Sequence, residues 1–287
     1  MANNKKKPGA EFPQLAYRNL RFLESADARA LRILAEYLDP LVRFQRAGVK
    51  RTVVFFGSAR VFSREAAQER LRKLTASREK HSSSWQAELK RARMGVQMSR
   101  YYEEARELAR LITVWAMKLG KGPDILTVCS GGGPGIMEAA NRGASEAGGK
   151  SIGLNIRLPR EQEPNPYISP DLSMLFRYFF MRKLWFAQPA QAVIVFPGGF
   201  GTLDEMFEFL TLIQTQKMGH NVKILLYGSK FWKRVVRFDR LLEAGTISPD
   251  EFNLLRFVDS PEQAFEIIKH ELELQPVVGP ISKRHFM

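Results

Sequence analysis

The sequence predicts an α/β fold: a Rossmann-like, doubly wound parallel sheet with helices on both faces, N-terminal helices ahead of it and a helical insertion within it. Three observations carry the prediction. Short apolar runs rich in Val, Ile and Phe alternate with stretches of helical period. Three of these runs end in loops of Gly, Ser, Ala and Pro, as strands do at the carboxyl edge of an open α/β sheet. The chain has 287 residues, 45% hydrophobic and 26% charged, enough for one large core or two modest ones.

The elements follow in order. Residues 1–15 read as an unstructured tail. Residues 17–47 read as one or two helices, with Leu20, Leu23, Leu31, Leu34, Ala35 and Leu38 on a rough stripe and Pro40 as an interruption or kink. This sets 1–50 apart from a nucleotide-binding core over 51–287. The first strand is expected over 52–56, β-branched and aromatic, ending at Gly57-Ser58. The insertion, about 63–118, is charged, with Gly95 its only glycine, and reads as a long helix or helical hairpin turning within 80–95. Further strands are expected over 125–129, Ser151–Ile156, a short stretch from 175, 192–196, Lys223–Tyr227 and near 257–258. Helices are expected over Ile136–Glu146, from about 179 to 187, after residue 202, over 231–242 and over Pro261–Leu274. Residues 157–173 form a Pro-rich loop, a candidate lid, and 276–287 a loose end.

Net charge is +14, unevenly spread. Residues 1–110 carry 24 Lys/Arg against 12 Asp/Glu, and 111–287 carry 20 against 18, so the excess base lies outside the expected core. Either it serves a nucleic-acid or acidic partner, or it is solvated helix surface. Interleaved acids and the lack of a nucleic-acid-binding motif favour the second reading. Cys129 is the only cysteine, so no intrachain disulfide forms, and four scattered His offer no metal-ligand spacing. No apolar run of about 18 residues is present, and no apolar segment follows the basic start, so neither a membrane span nor a signal peptide is expected. The expectation is a cytoplasmic protein with no cofactor.

The glycine loops carry the chemistry. They are Gly57-Ser58-Ala59-Arg60, the six residues from Ser130 through Gly132 and Gly133 to Gly135, and Pro197-Gly198-Gly199-Phe200-Gly201-Thr202. The last two run into helices, whose first N–H groups can hold a phosphate that glycine allows close. The P-loop pattern is absent. The dinucleotide fingerprint fails too, since its last glycine position falls on Ile136 in one loop and Asp204 in the other. Glu205 has a plain alternative role: Thr202-Leu203-Asp204-Glu205 fits a capping box with Thr202 as N-cap. Glu138 has the same alternative. Arg182-Lys183, after three aromatics and a Met, is either an exposed basic pair or a cationic clamp for a phosphate or carboxylate.

Together these residues resemble the LONELY GUY (LOG) family, long labelled lysine decarboxylases. The family's paired signature is Arg-Lys after an aromatic segment, then P-G-G-x-G-T-x-x-E. It stands complete here as Phe180-Met181-Arg182-Lys183 and Pro197 through Glu205. The stretches 130–144 and 56–60 resemble the family's other two loops, and the resemblance covers roughly 51–275. The helical insertion makes the chain similar to the longer bacterial class. The resemblance implies hydrolysis of the N-glycosidic bond of AMP or an N6-modified AMP, a cytokinin riboside monophosphate, to free base and ribose 5-phosphate. It implies Arg182 and Glu205 as the catalytic pair, with Arg182 holding Glu205 ionised. It implies a substrate site from Gly57, Ser58, Gly132, Gly133, Glu138, Lys183, Gly198, Gly199, Gly201 and Thr202. It also implies a homo-oligomer formed through helices near the site. Two rival readings stand beside it: a non-catalytic nucleotide sensor or carrier on the same fold, and a nucleic-acid-binding protein using its basic first 110 residues.

Overall fold

The computed structural model describes residues 13–76, 83–119, 125–159, 163–218 and 222–274. Seven strands form one parallel sheet: β1 (Val49–Phe56), β2 (Ile125–Ser130), β3 (Ser151–Ile156), β4 (Ser173–Phe176), β5 (Ala190–Val195), β6 (Lys223–Tyr227) and β7 (Leu255–Val258). Their order is β4-β3-β2-β1-β5-β6-β7. The chain winds outward from β1 to β4, returns to lay β5 against the other side of β1, and winds out again to β7. The direction of winding therefore reverses between β1 and β5, which is where open α/β sheets leave a crevice beyond their carboxyl ends.

The helices are α1 (Leu20–Glu24) and α2 (Arg29–Ala47) ahead of β1, α3 (Arg64–Ala76), α4 (Ser83–Lys118), α5 (Ile136–Glu146), α6 (Phe179–Ala187), α7 (Phe200–Gln214), α8 (Ser229–Val235), α9 (Phe238–Glu243) and α10 (Pro249–Phe252) between strands, and α11 (Pro261–Leu274) after β7. Side chains alternate along a strand, so each central strand feeds two cores. Val54, Phe56, Val193 and Val195 join Phe44 of α2, Trp185 of α6 and Phe209 of α7 on one face. Val53, Phe55 and Ile194 join Leu108 and Ile112 of α4, Ile136 of α5 and Ile268 of α11 on the other. This is the doubly wound sheet that the alternating pattern predicts. None of the described helices is long and apolar enough to cross a membrane.

The structure redraws several boundaries. β1 starts at Val49, before the expected 52, because its first residues pair with β2. The insertion is a hairpin, but 83–95 is already helical in α4. The residues that join α3 to α4, 77–82, lie outside the described residues. Pro40 sits inside α2, buried, and the helix continues past it. Of the α2 stripe, Leu31, Leu34 and Leu38 are exposed, because the helix packs instead through Phe44, Ile33 and Leu41. The helix expected over 231–242 is two, divided where Val236 turns extended. The short α10, capped by Ser248 and Glu251 as a capping box, was not expected. Most of the expected N-terminal tail and all of the C-terminal loose end lie outside the described residues.

Candidate functional site

The loops after β1 and β5 meet at the winding reversal. Phe196 N–H donates to the Phe56 carbonyl at 2.8 Å, and Ser58 N–H donates to the Pro197 carbonyl at 3.1 Å. Ile136 N–H, the first of α5, donates to the Ser58 carbonyl at 3.1 Å, which brings in the third loop. Gly135 makes this approach possible: its φ is 73°, and a Cβ there would collide with the Ser58 carbonyl. One orphan donor of α5 is thus spent within the protein, whereas α7 starts its helix on the open side.

The β2 loop is fixed from behind by asparagines. Asn165 Nδ2 donates to the carbonyls of Gly132 and Gly133 at 3.0 and 3.1 Å and to Asn141 Oδ1 at 3.0 Å. Asn141 Oδ1 also accepts from Ser130 Oγ at 2.6 Å, and its Nδ2 donates to the Ile152 carbonyl. These buried amides were missed in the sequence. Polar residues inside a Pro-rich loop and a helix give no periodic signal, and their partners are 11 to 33 residues away.

α7 begins at Phe200 with Gly199 as N-cap and no side-chain cap. The expected capping box is therefore not formed. Thr202 and Glu205 lie inside the helix, because it starts three residues before the expected helical start at Leu203. Thr202 packs back over Gly198, where a Cβ would collide with its Oγ1. Glu205 is turned toward α6 instead: its Oε1 accepts from Arg182 Nη2 at 3.0 Å. Glu138 caps nothing either, since its Oε1 accepts from Tyr102 Oη at 2.6 Å while Gly135 is the N-cap.

The Arg182–Glu205 pair is nearly enclosed, with side chains 10% and 13% exposed. Burial pushes the Glu205 carboxyl up to about 7, and the Arg182 guanidinium offsets only part of that rise. Arg182 acts on Glu205 in the expected direction, favouring the ionised carboxylate, but desolvation opposes it and is the larger influence. Burial also lowers Arg182, against the pull of Glu205, Asp204 and Glu208. The guanidinium lies over the rings of Phe179 and Phe186, 5.2 and 5.5 Å from their centroids, and its Nε is buried with no hydrogen-bond partner.

An open cleft of about 1310 Å³ lies over this pair. Among the expected site residues, Gly57, Ser58, Gly133, Arg182, Gly198, Gly199, Gly201, Thr202 and Glu205 line it. Gly132, Glu138 and Lys183 do not. Gly132 is turned against Asn155, Glu138 is occupied by Tyr102, and Lys183 Nζ bridges Asp204 and Glu208 of α7 at 2.9 Å each. The asparagine Asn155 and the apolar Met94, Met98 and Phe231 also face the cleft and were not anticipated.

A family profile described as "Possible lysine decarboxylase" matches residues 137–268. The chain is 30% identical over 144 residues to a rice (Oryza sativa subsp. japonica) protein named "Probable cytokinin riboside 5'-monophosphate phosphoribohydrolase LOGL5", covering 47% of this chain and 56% of that one. It is 25% identical over 159 residues to the Arabidopsis thaliana "Cytokinin riboside 5'-monophosphate phosphoribohydrolase LOG7", covering 55% and 70%. The matched stretch thus spans little more than half of the rice relative. Among solved structures, the molybdenum cofactor binding protein of Rippkaea orientalis aligns with a TM-score of 0.45 at 19% identity, over 78% of this chain and 98% of that one.

Proposed function

Starting from the chain's resemblance to the LONELY GUY family, we propose that it hydrolyses the N-glycosidic bond of a nucleoside 5′-monophosphate, AMP or an N6-modified AMP. The products are free base and ribose 5-phosphate. The observation that carries this reading is the enclosed Arg182–Glu205 pair facing the same cleft as the open first turn of α7.

In this reading the phosphate lies on the N–H groups of the first turn of α7, where the helix dipole favours an anion. The missing Cβ atoms of Gly199 and Gly201 would meet nothing within 4 Å, so a phosphate can approach the backbone there. The ribose then sits by Glu205. As the bond between C1′ and the base nitrogen breaks, positive charge builds on the sugar, and the carboxylate stabilises it. Water forms the new bond at C1′, and its proton passes to Glu205 and on to the departing base. A carboxyl group held near 7 suits this exchange at neutral pH. Arg182 positions the carboxylate. Its buried Nε has no hydrogen-bond partner, which costs about 1–3 kcal/mol.

Decarboxylation through a pyridoxal Schiff base would need a lysine in the cleft. Among the described residues, no lysine lines it, and Lys183 is held by two carboxylates outside it. The exposed Leu31, Leu34 and Leu38 of α2 suit the proposed homo-oligomer, which light scattering at micromolar concentration checks. The proposed activity is tested by following base and ribose 5-phosphate from AMP and N6-isopentenyl-AMP. Release by wild type and its loss in Glu205→Ala, with AMP still bound, supports the hydrolase. Tight AMP binding with no release from either compound would replace it with the sensor or carrier.

A further inference from the structure

The cleft carries more positive charge than a monophosphate requires. Beside Arg182, three arginines line it: Arg60 in the loop after β1, Arg70 on α3 and Arg91 on α4. Among the described residues Glu205 is the only acid in the lining, and Arg182 already faces it at 3.0 Å. None of Arg60, Arg70 and Arg91 has an acidic partner among the described residues. This sets them apart from their neighbours: Arg72 and Lys73 share Glu69, and Arg106 pairs with Glu146.

Two further observations concern space. At about 1310 Å³ the cleft exceeds the roughly 300–1,000 Å³ usual for a drug-sized ligand. Gly95 also lines it from within α4, and a Cβ there would meet nothing within 4 Å. Glycine is a poor residue inside a helix. No packing contact explains it here, and its effect is to leave the wall beside Arg91 clear.

We propose that Arg60, Arg70 and Arg91 form a second anion subsite, so that the nucleotide bound in this cleft carries a phosphate beyond the one held at α7. The inference rests on the reading of the cleft as a nucleotide site and extends it from monophosphates to nucleotides with more than one phosphate. Guanidinium groups suit the task, since they stay charged and bind phosphate oxygens through paired N–H donors. The α3–α4 hairpin supplies two of the three, which gives the insertion a role in choosing substrate.

The test is calorimetric binding of AMP, ADP and adenosine 3′,5′-bisphosphate to the full chain and to the Arg70→Ala/Arg91→Ala double variant. Both side chains are exposed, so the variant keeps its fold. The expected result is binding of ADP or the bisphosphate about tenfold tighter than AMP, the factor that one charge-assisted contact supplies. That advantage disappears in the double variant, while AMP affinity stays unchanged. Which of the two ligands gains tells whether the second phosphate extends the 5′ chain or leaves from the ribose. Equal binding of all three to wild type overturns the subsite, as does an advantage that survives the double substitution. Either failure leaves base release from AMP untouched. A chain that binds none of the three overturns the nucleotide reading as well.

Discussion

Arg182 Nη2 donates to Glu205 Oε1 at 3.0 Å, joining α6 to α7 across 23 residues of sequence. Neither helix needs this contact to form. α6 is anchored by Trp185 and Phe186, and α7 by Met206 and Phe209. The pair brings two charges into a low-dielectric wall, where desolvation competes with their attraction. Burial pulls both groups toward their neutral forms, against their mutual attraction. An arrangement of this kind is poor as a staple and well suited to proton traffic.

The first prediction concerns pH. Glu205 ordinarily titrates at 4.5, and burial raises it to about 7 in the folded chain. Between those values the folded state keeps a proton that the unfolded state has lost. This group's contribution to stability is therefore complete below about 4.5 and is lost as pH rises through about 7. Glu205→Gln lacks the effect. The melting temperature of Glu205→Gln relative to wild type should climb from pH 4.5 to 7.5 and level off above. A constant difference across that range would show that Glu205 is not shifted. In the proposed reaction the carboxylate is the working form, so base release by wild type should rise through the same region.

The second concerns Arg182. Replacing it with Met keeps bulk against Phe179 and Phe186 but leaves Glu205 without its cation. Breaking a buried pair from one side costs about 3–5 kcal/mol, and the slight exposure here places the loss near the lower end. The rise of activity with pH should also move to higher values, because the larger of the two influences that lower the Glu205 pKa, Arg182 ahead of Lys183, has gone. A variant that loses activity at every pH without moving the profile would assign Arg182 to substrate contact alone.

The third separates packing from ligand approach in the β5 loop. A Cβ at Gly198 would collide with Thr202, so Gly198→Ala should destabilise by about 1–3 kcal/mol whether or not a ligand is present. Gly201 lies in the first turn of α7 with open space beside it, so Gly201→Ala should stabilise by up to about 1 kcal/mol. If the phosphate lies against this turn, that more stable variant binds AMP more weakly. Unchanged AMP affinity in Gly201→Ala would move the phosphate elsewhere. Thermal melts with and without AMP read both effects.

The sheet was legible in the sequence because each buried strand is a short apolar run closed by a loop residue. Ser151–Ile156 and Lys223–Tyr227 fall where their composition places them. Glu205 and Arg182 were legible only through the paired signature. The local pattern around Glu205 pointed to a helix cap, and Gly199 took that place instead. Lys183 shows the limit of a motif. It shares the signature with Arg182, yet it is turned away from the cleft because Asp204 and Glu208 form a carboxylate pair one turn apart on α7. The arginines of the α3–α4 hairpin were hidden among many basic residues. Only the fold shows which of them face the cleft and which have acidic neighbours.

The last prediction tests the asparagine that holds the β2 loop. Asn165 is 7% exposed, and its Nδ2 serves three acceptors: two backbone carbonyls and Asn141 Oδ1. Its Oδ1 accepts from Tyr167 N–H at 3.2 Å. Asn165→Ala leaves these groups without their partner, at about 1–3 kcal/mol for the buried ones. Asn165→Asp has nearly the same shape but turns an acceptor toward three acceptors, so it should be less stable than Ala at neutral pH. Protonation gives the carboxyl a donor again, so the aspartate variant should recover part of its loss as the solution is acidified. The alanine variant should not show that recovery. Both variants should raise the KM for AMP more than they lower kcat, since the loop they loosen lines the cleft through Gly133 and carries neither Arg182 nor Glu205. An aspartate variant as stable as wild type at neutral pH would mean that Nδ2 is not the donor to Gly132 and Gly133.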